Sequence, residues 1–120
     1  MAATPCLKLW IDSESGLVMS DYRARLMSEI ARTGSLAQAA VAMGLSDRRA
    51  WGKINEMEQH LGFPVVESAV GGAGGGNTML TPRGAELLAA FHRFQERSVR
   101  AMEAIFAEEF PGPIAGHPDG

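Results

Sequence analysis

The side chains with the clearest chemistry in this chain of 120 residues lie within one short stretch that ends at Asn55. Arg48 and Asn55 are residue types that pair bidentately with guanine and adenine edges, respectively, and Arg49 and Lys53 suit backbone phosphates. Gly52 has no side chain and lets a bulky partner approach the backbone. These types at this spacing indicate contact with double-stranded DNA, although an ordinary solvated helix face carries similar residues.

Two short helices joined by a turn are expected to position these side chains. Ser35 followed by Gln38 has the spacing of a capping box and predicts the start of the first helix. Gly44 ends that helix, and Ser46 caps the second helix after the turn. The small pair Ala39-Ala40 allows the two helices to cross closely. This pattern predicts a helix-turn-helix, and a two-helix hairpin within a helical bundle is the open alternative.

The second helix, over residues 46–61, divides into two faces when each residue advances 100°. The face toward the core holds Ala50, Ile54, Met57 and Leu61, and the opposite face holds Arg48, Gly52, Asn55 and Gln59. Trp51 lies at the boundary between the faces. We predict that its ring packs in the core rather than serving as a stacking platform.

Further elements are expected on the N-terminal side of this unit. The apolar runs 7–11 and 17–19 flank a polar turn, which predicts a β-hairpin. A helix follows over residues 21–32, with Asp21 as its cap and Gly34 just after its end.

A glycine-rich stretch separates two strands on the C-terminal side. Residues 64–70 and 78–81 predict the strands, and residues 71–77 predict a flexible tip, which together form the wing of a winged helix. Nucleotide binding is disfavoured because the stretch has no lysine, and Asn77 stands where a dinucleotide fingerprint needs glycine. Thr81 and Pro82 then begin a final helix that reaches about Phe110.

The predicted fold is therefore mainly α, an α+β winged helix-turn-helix with an N-terminal β-hairpin and a long C-terminal dimerisation helix. Its domain spans residues 7–110, between an N-terminal tail over 1–6 and a disordered tail over 111–120. The residues expected to contact DNA are Ser35, Ser46, Asp47, Arg48, Arg49, Gly52, Lys53, Asn55, Gly74, Gly75 and Asn77.

The final helix carries an apolar stripe with the a/d spacing of a coiled coil. The stripe consists of Leu87, Phe91, Phe94, Ala101 and Ile105. This spacing predicts a homodimer seam, and a twofold dimer predicts a palindromic operator with half-sites about one DNA turn apart. The alternative is a helix that folds back on its own domain.

Composition narrows the class of protein. The net charge is −3, and most of the acidic residues lie outside the segment expected to face DNA. No nucleophile, base and stabiliser occur at recognisable spacing, so no catalytic residue and no enzyme activity are expected. His60 and His92 lack a second ligand at metal spacing, so neither a metal nor a cofactor is expected. No signal peptide or membrane span is recognisable, which predicts a cytoplasmic protein with no membrane partner.

Six segments between Leu7 and Phe110 carry a family resemblance. They are Gly34-Ser35-Leu36 with Ala39-Ala40, Arg49-Ala50-Trp51, Ile54-Asn55-Glu56-Met57, Val66-Glu67, the glycine-rich run 71–76 and Leu80-Thr81-Pro82-Arg83-Gly84. Together they resemble the N-terminal domain of ModE-type molybdate-responsive transcriptional regulators. The Arg-Ala-Trp triplet joined to a polyglycine wing is specific, whereas the helix-turn-helix and the Leu-Thr-Pro-x-Gly segment also fit LysR-type regulators.

The resemblance implies a winged helix that dimerises through its hairpin and last helix and binds an operator of genes for molybdate uptake or molybdenum-cofactor supply. Asp47 departs from the aromatic residue usual in the family, and Ala73 replaces a basic residue common in the wing. Molybdate-binding domains follow this domain in full-length members, whereas ten residues follow the last predicted helix here. A stand-alone domain that does not bind molybdate is therefore expected.

Two other functions stay open at this point. The chain could be a winged-helix protein-interaction module without DNA binding, in which Asp47, Glu56 and Glu58 dominate the surface. It could also be a LysR-like DNA-binding domain with an unrelated regulon. Salt dependence separates the first alternative from DNA binding, because affinity for phosphates falls steeply with added salt.

Overall fold

The structure, a computed structural model, describes residues 3–68 and 77–114. Its elements are β1 (Trp10–Ser13), β2 (Gly16–Ser20), α1 (Asp21–Thr33), α2 (Leu36–Ala42), α3 (Asp47–Leu61), β3 (Val66–Ser68), β4 (Thr78–Leu80) and α4 (Pro82–Glu109). The strands form two antiparallel pairs, β1 with β2 and β3 with β4. This is the predicted order of a hairpin, a first helix, a helix-turn-helix, a wing and a long last helix, and the predicted fold class is confirmed.

The N-terminal hairpin is shorter than the sequence pattern predicts. Trp10 pairs with Ser20, the last residue of β2, and the register shifts between Ile11 and Asp12. Residues 7–9 have no strand partner left because the chain turns into α1 directly after Ser20. The prediction of a strand over 7–11 is therefore wrong at its N-terminal end.

Serine and threonine side chains begin all four helices. Ser35, Ser46 and Thr81 accept hydrogen bonds from the backbone N–H groups three residues on, as predicted for α2, α3 and α4. The cap of α1 is Ser20, which accepts from the N–H of Arg23, so the prediction of Asp21 as cap is wrong by one residue. Each cap satisfies a backbone donor that would otherwise lack a partner in the first turn.

The hydrophobic core gathers one face of each helix against β2 and the wing. Its largest fully buried side chains are Met19, Leu26, Met27, Ile30, Ile54, Met57 and Val65. Ala39 and Ala40 on α2 are completely buried, which fits the close helix crossing predicted for them. The core thus fixes α3 through its apolar face and leaves the opposite face free.

The first turn of α4 packs directly on the wing. The Thr81 N–H donates to the Val65 carbonyl at 2.9 Å, and its Oγ1 donates to the Pro64 carbonyl at 2.8 Å. A Cβ added at Gly84 would overlap the carbonyl oxygen of Val65. The glycine therefore permits a contact between α4 and the residue just before β3 that no other residue allows.

Candidate nucleic-acid interface

The helix α3 presents its predicted DNA face to solvent. Ala50, Ile54 and Met57 are completely buried, whereas Arg48, Arg49, Gly52 and Asn55 are exposed. The Gly52 backbone faces open space, because an added Cβ would meet no atom within 4 Å. Within the described residues, the ion pairs do not include Arg48 or Arg49. Both guanidinium groups are therefore free to meet an external anion.

Three other predicted DNA contacts, Ser46, Asp47 and Lys53, lie beside this face and also interact within the protein. The Ser46 hydroxyl accepts from the Arg49 N–H at 3.2 Å, so it caps α3 as well as lying near its tip. Asp47 is exposed in the first turn, where its negative charge suits the helix dipole. Lys53 is half-buried, and its ammonium group lies 4.9 Å from the centre of the Tyr22 ring.

The base of the wing is fixed to the turn between α1 and α2. The Thr78 N–H donates to the Gly34 carbonyl at 2.8 Å, and Ser35 and Asn77 form a β-bridge. Ser35 and Asn77, both predicted DNA contacts, thus lie together near the start of α2. Gly74 and Gly75, the predicted contacts at the tip of the wing, lie outside the described residues.

Trp51 does not join the core, and its predicted burial is wrong. Its side chain is 39% exposed and lines a cleft between α2, the start of α3 and the base of the wing. The residues that turn fully toward the core, Ala50 and Ile54, already fill that side of α3. The ring therefore lies at the edge of the predicted DNA face.

Two acidic residues expected at the surface are held by other parts of the chain. Glu56 accepts from Arg23 at 2.9 Å, and the Arg23 side chain is only 7% exposed. Glu58 Oε2 accepts the backbone N–H groups of Val65 at 2.7 Å and Val66 at 3.3 Å. The Glu58 carboxylate thus serves the fold, whereas the Glu56 side chain is 57% exposed and stays at the surface, as Asp47 does. An acidic protein-interaction surface therefore loses one of its three predicted residues.

The docking of the hairpin is a feature that the sequence did not reveal. The Leu17 carbonyl accepts from Arg23 Nη1 at 2.6 Å and lies 2.7 Å from His60 Nδ1. Arg23 and His60 belong to α1 and α3, so one carbonyl connects β2 to both helices. Arg23 is more than 30 residues away from Glu56 and His60 in the sequence. No periodic pattern links residues so far apart, so the sequence alone did not predict these contacts.

Other charged groups lie away from α3. Arg32 donates to Glu29 at the end of α1, and this hydrogen bond lowers the pKa of the Glu29 carboxyl. Among the residues that the structure describes, no cluster of histidine, cysteine or carboxylate side chains could hold a metal ion. No helix in residues 3–68 and 77–114 is long and apolar enough to cross a membrane.

The predicted dimer stripe divides along α4. Phe91 is 2% exposed and belongs to the core of its own protomer, and Leu87 is half-buried against that core. Phe94 is 43% and Ile105 57% exposed, and Ala101 is also exposed. Only the last three residues of the predicted stripe are therefore available to a partner.

Sequence comparison places this geometry among known proteins. Residues 23–85, just over half of the chain, match the family described as "Bacterial regulatory helix-turn-helix protein, lysR family". The molybdenum-pterin-binding protein MopB of Rhodobacter capsulatus is 40% identical over 72% of this chain and 32% of its own length. The DNA-binding transcriptional dual regulator ModE of Escherichia coli is 36% identical over 81% of this chain and 37% of its own length. The chain spans about a third of the length of these curated relatives.

Solved structures share the fold. The crystal structure of a CbnR DNA-binding domain in complex with DNA superposes with a TM-score of 0.57 at 21% identity, over 75% of this chain and 99% of that one. The chain therefore belongs to the bacterial regulatory helix-turn-helix proteins of the lysR family, and its sequence is similar to regulators of the ModE type.

Proposed function

We propose that this chain is the DNA-binding part of a transcription regulator that reads a palindromic operator as a homodimer in the bacterial cytoplasm. The observation that carries the proposal is the exposed face of α3, on which Arg48, Gly52 and Asn55 lie opposite the buried Ala50 and Ile54. A helix with this division of faces fits the major groove, where arginine and asparagine distinguish base pairs.

The similarity to ModE and MopB supports a regulon for molybdate uptake or molybdenum-cofactor supply. An unrelated regulon is the alternative to this part of the proposal. A genome-wide map of the DNA bound by the protein decides between them. Enrichment of promoters for molybdenum genes is expected, and bound sites confined to unrelated promoters would leave only the DNA-binding part standing.

Dimerisation is supported by the length and burial of α4. The helix has 28 residues, and its buried positions, Gly84, Leu88 and Phe91, all lie within residues 82–91. At 1.5 Å per residue it extends roughly 40 Å, whereas the described molecule measures 30 × 21 Å in its two shorter dimensions. The distal part presents Phe94 and Ile105 to solvent, and a second copy would cover them.

The DNA-reading face is tested with a duplex selected by the parent protein from a random-sequence pool. Replacing both Arg48 and Arg49 by alanine removes at least one base contact, and each such contact contributes on the order of 1–3 kcal/mol. We therefore expect fluorescence anisotropy to show at least a tenfold loss of affinity. The matched control is Arg32→Ala/Arg100→Ala, which removes the same charge from exposed ion pairs away from α3. Equal effects of the two pairs would reject base reading in favour of a general charge effect.

We also propose that this chain does not itself bind molybdate. A tetrahedral oxyanion needs several donors that converge in a closed pocket. In the described parts of the chain, every buried side-chain nitrogen or oxygen already has a hydrogen-bond partner. Titration calorimetry with sodium molybdate should show no saturable heat, and binding of one ion per chain would contradict the proposal.

A further inference from the structure

Trp51 occupies a corner of the molecule where three elements of the proposed DNA surface meet. The cleft beside it has a volume of about 210 Å³ and is lined by Leu36 and Ala37 of α2, Asp47 of α3, and Ser68 and Asn77 at the base of the wing. The hydrogen bond from the Thr78 N–H to the Gly34 carbonyl and the β-bridge between Asn77 and Ser35 hold the base of the wing against residues 34–35 at this corner.

The position of Trp51 on α3 points its ring toward the same partner as the polar residues. Trp51 follows Arg48 by three residues and precedes Asn55 by four, so the three side chains are neighbours on the helix surface. Its ring is 39% exposed. A duplex that contacts Arg48 and Asn55 would therefore cover the exposed part of the indole.

The side chains at this corner favour contact with the bases of DNA over contact with its phosphate backbone. The exposed Asp47 carboxylate, four residues before Trp51, repels phosphate oxygens. Within the major groove, the apolar group that base pairs present is the C5-methyl of thymine. An indole beside a carboxylate suits that methyl group better than it suits the sugar-phosphate backbone.

We infer that Trp51 is a specificity-determining residue that packs against a thymine methyl group in each half-site of the operator. This inference rests on the proposed function and deepens it. It assigns to α3 an apolar contact that selects a thymine, in addition to the polar contacts of Arg48 and Asn55. The cleft admits the methyl group, and burial of the exposed indole edge contributes to affinity.

The experiment uses the duplex that the parent protein selects from a random pool, with each thymine replaced singly by deoxyuridine. This change removes one methyl group and keeps base pairing. At one position in each half-site, the parent should lose about three- to fivefold in affinity, the ratio expected for one buried methyl group. In Trp51→Ala that penalty should disappear, in Trp51→Phe it should persist in part, and in Arg48→Ala it should persist in full.

A folding control and a fluorescence measurement complete the experiment. Circular dichroism and thermal unfolding establish that Trp51→Ala is folded, and Trp51→Phe serves in its place if it is not. In a Trp10→Phe background, Trp51 is the one remaining tryptophan, and its emission should shift to shorter wavelength on binding the duplex. The inference is overturned if no deoxyuridine substitution weakens the parent, or if the penalty is as large in the Trp51 variant. Failure of the parent to select any sequence would instead reject the proposed function itself.

Discussion

Gly52 supports the proposed function because it has no side chain. The α3 backbone is open to solvent there, between the turns that carry Arg48 and Asn55. Glycine is costly inside a helix, by about 0.5–1 kcal/mol relative to alanine, so the fold alone does not favour it. We propose that close approach of a duplex accounts for its presence.

Replacing Gly52 by leucine should therefore separate stability from binding. We expect the free energy of unfolding to stay equal or to rise by up to about 1 kcal/mol, because leucine is a better helix former. Affinity for the selected duplex should fall about tenfold or more, since the side chain holds the backbone away from the bases. Urea unfolding and fluorescence anisotropy measure the two effects. Ala31→Leu adds bulk at an exposed position on α1 and is the control, and unchanged DNA affinity of the Gly52 variant would contradict the argument.

Gly84 differs from Gly52 because the absence of its side chain is needed for packing inside the protein. A Cβ there would overlap the Val65 carbonyl, a backbone atom that cannot move aside without shifting the wing. We expect Gly84→Ala to lower the free energy of unfolding by about 1–3 kcal/mol, the usual cost of overpacking. The matched control is Gly112→Ala, where an added Cβ meets no atom within 4 Å. Equal urea midpoints for the two variants would show that the contact between α4 and the wing is not tight.

At the scale of elements, most boundaries follow from short local signals. Ser35, Ser46 and Thr81 begin their helices as predicted, because capping depends on residues only a few positions apart. The division of α3 into two faces was also predictable from helical periodicity. Trp51 was misplaced because its burial depends on how α2 and the wing pack beside α3, which no local pattern encodes. The roles of Arg23 and Glu58 were missed for the same reason.

Glu58 connects α3 to the wing and allows a test at this scale. Its carboxylate accepts the N–H groups of Val65 and Val66, which lie in and just before β3. Replacement by alanine leaves both donors without this acceptor and should cost about 1–3 kcal/mol in the free energy of unfolding. Glu58→Gln keeps one acceptor oxygen and should lose less. The exposed Glu67 in β3 provides the control, and thermal unfolding in which Glu67→Ala is as destabilised as Glu58→Ala would remove the special role of this contact.

At the scale of the whole molecule, we propose that the distal part of α4 sets the oligomeric state. Aspartate at both Phe94 and Ile105 places charges on the surface that we propose is covered by the second copy. Sedimentation equilibrium at micromolar concentration should give a dimer for the parent and a monomer for Phe94→Asp/Ile105→Asp. Ala31→Asp/Val41→Asp, on exposed positions of α1 and α2, should remain dimeric. A dimer that survives the α4 changes, or a monomeric parent, would rule out this interface.

The Leu17 carbonyl, which lies within hydrogen-bond distance of donors from α1 and α3, has a consequence for how the protein opens. The hairpin cannot detach without breaking the contacts of Arg23 and His60 together, and Arg23 also holds Glu56 of α3. Local opening of the hairpin is thereby coupled to opening of α3. In native-state hydrogen exchange, amides of β2, α1 and α3 should exchange as one cooperative unit, whereas the amides of distal α4 should gain protection as protein concentration rises.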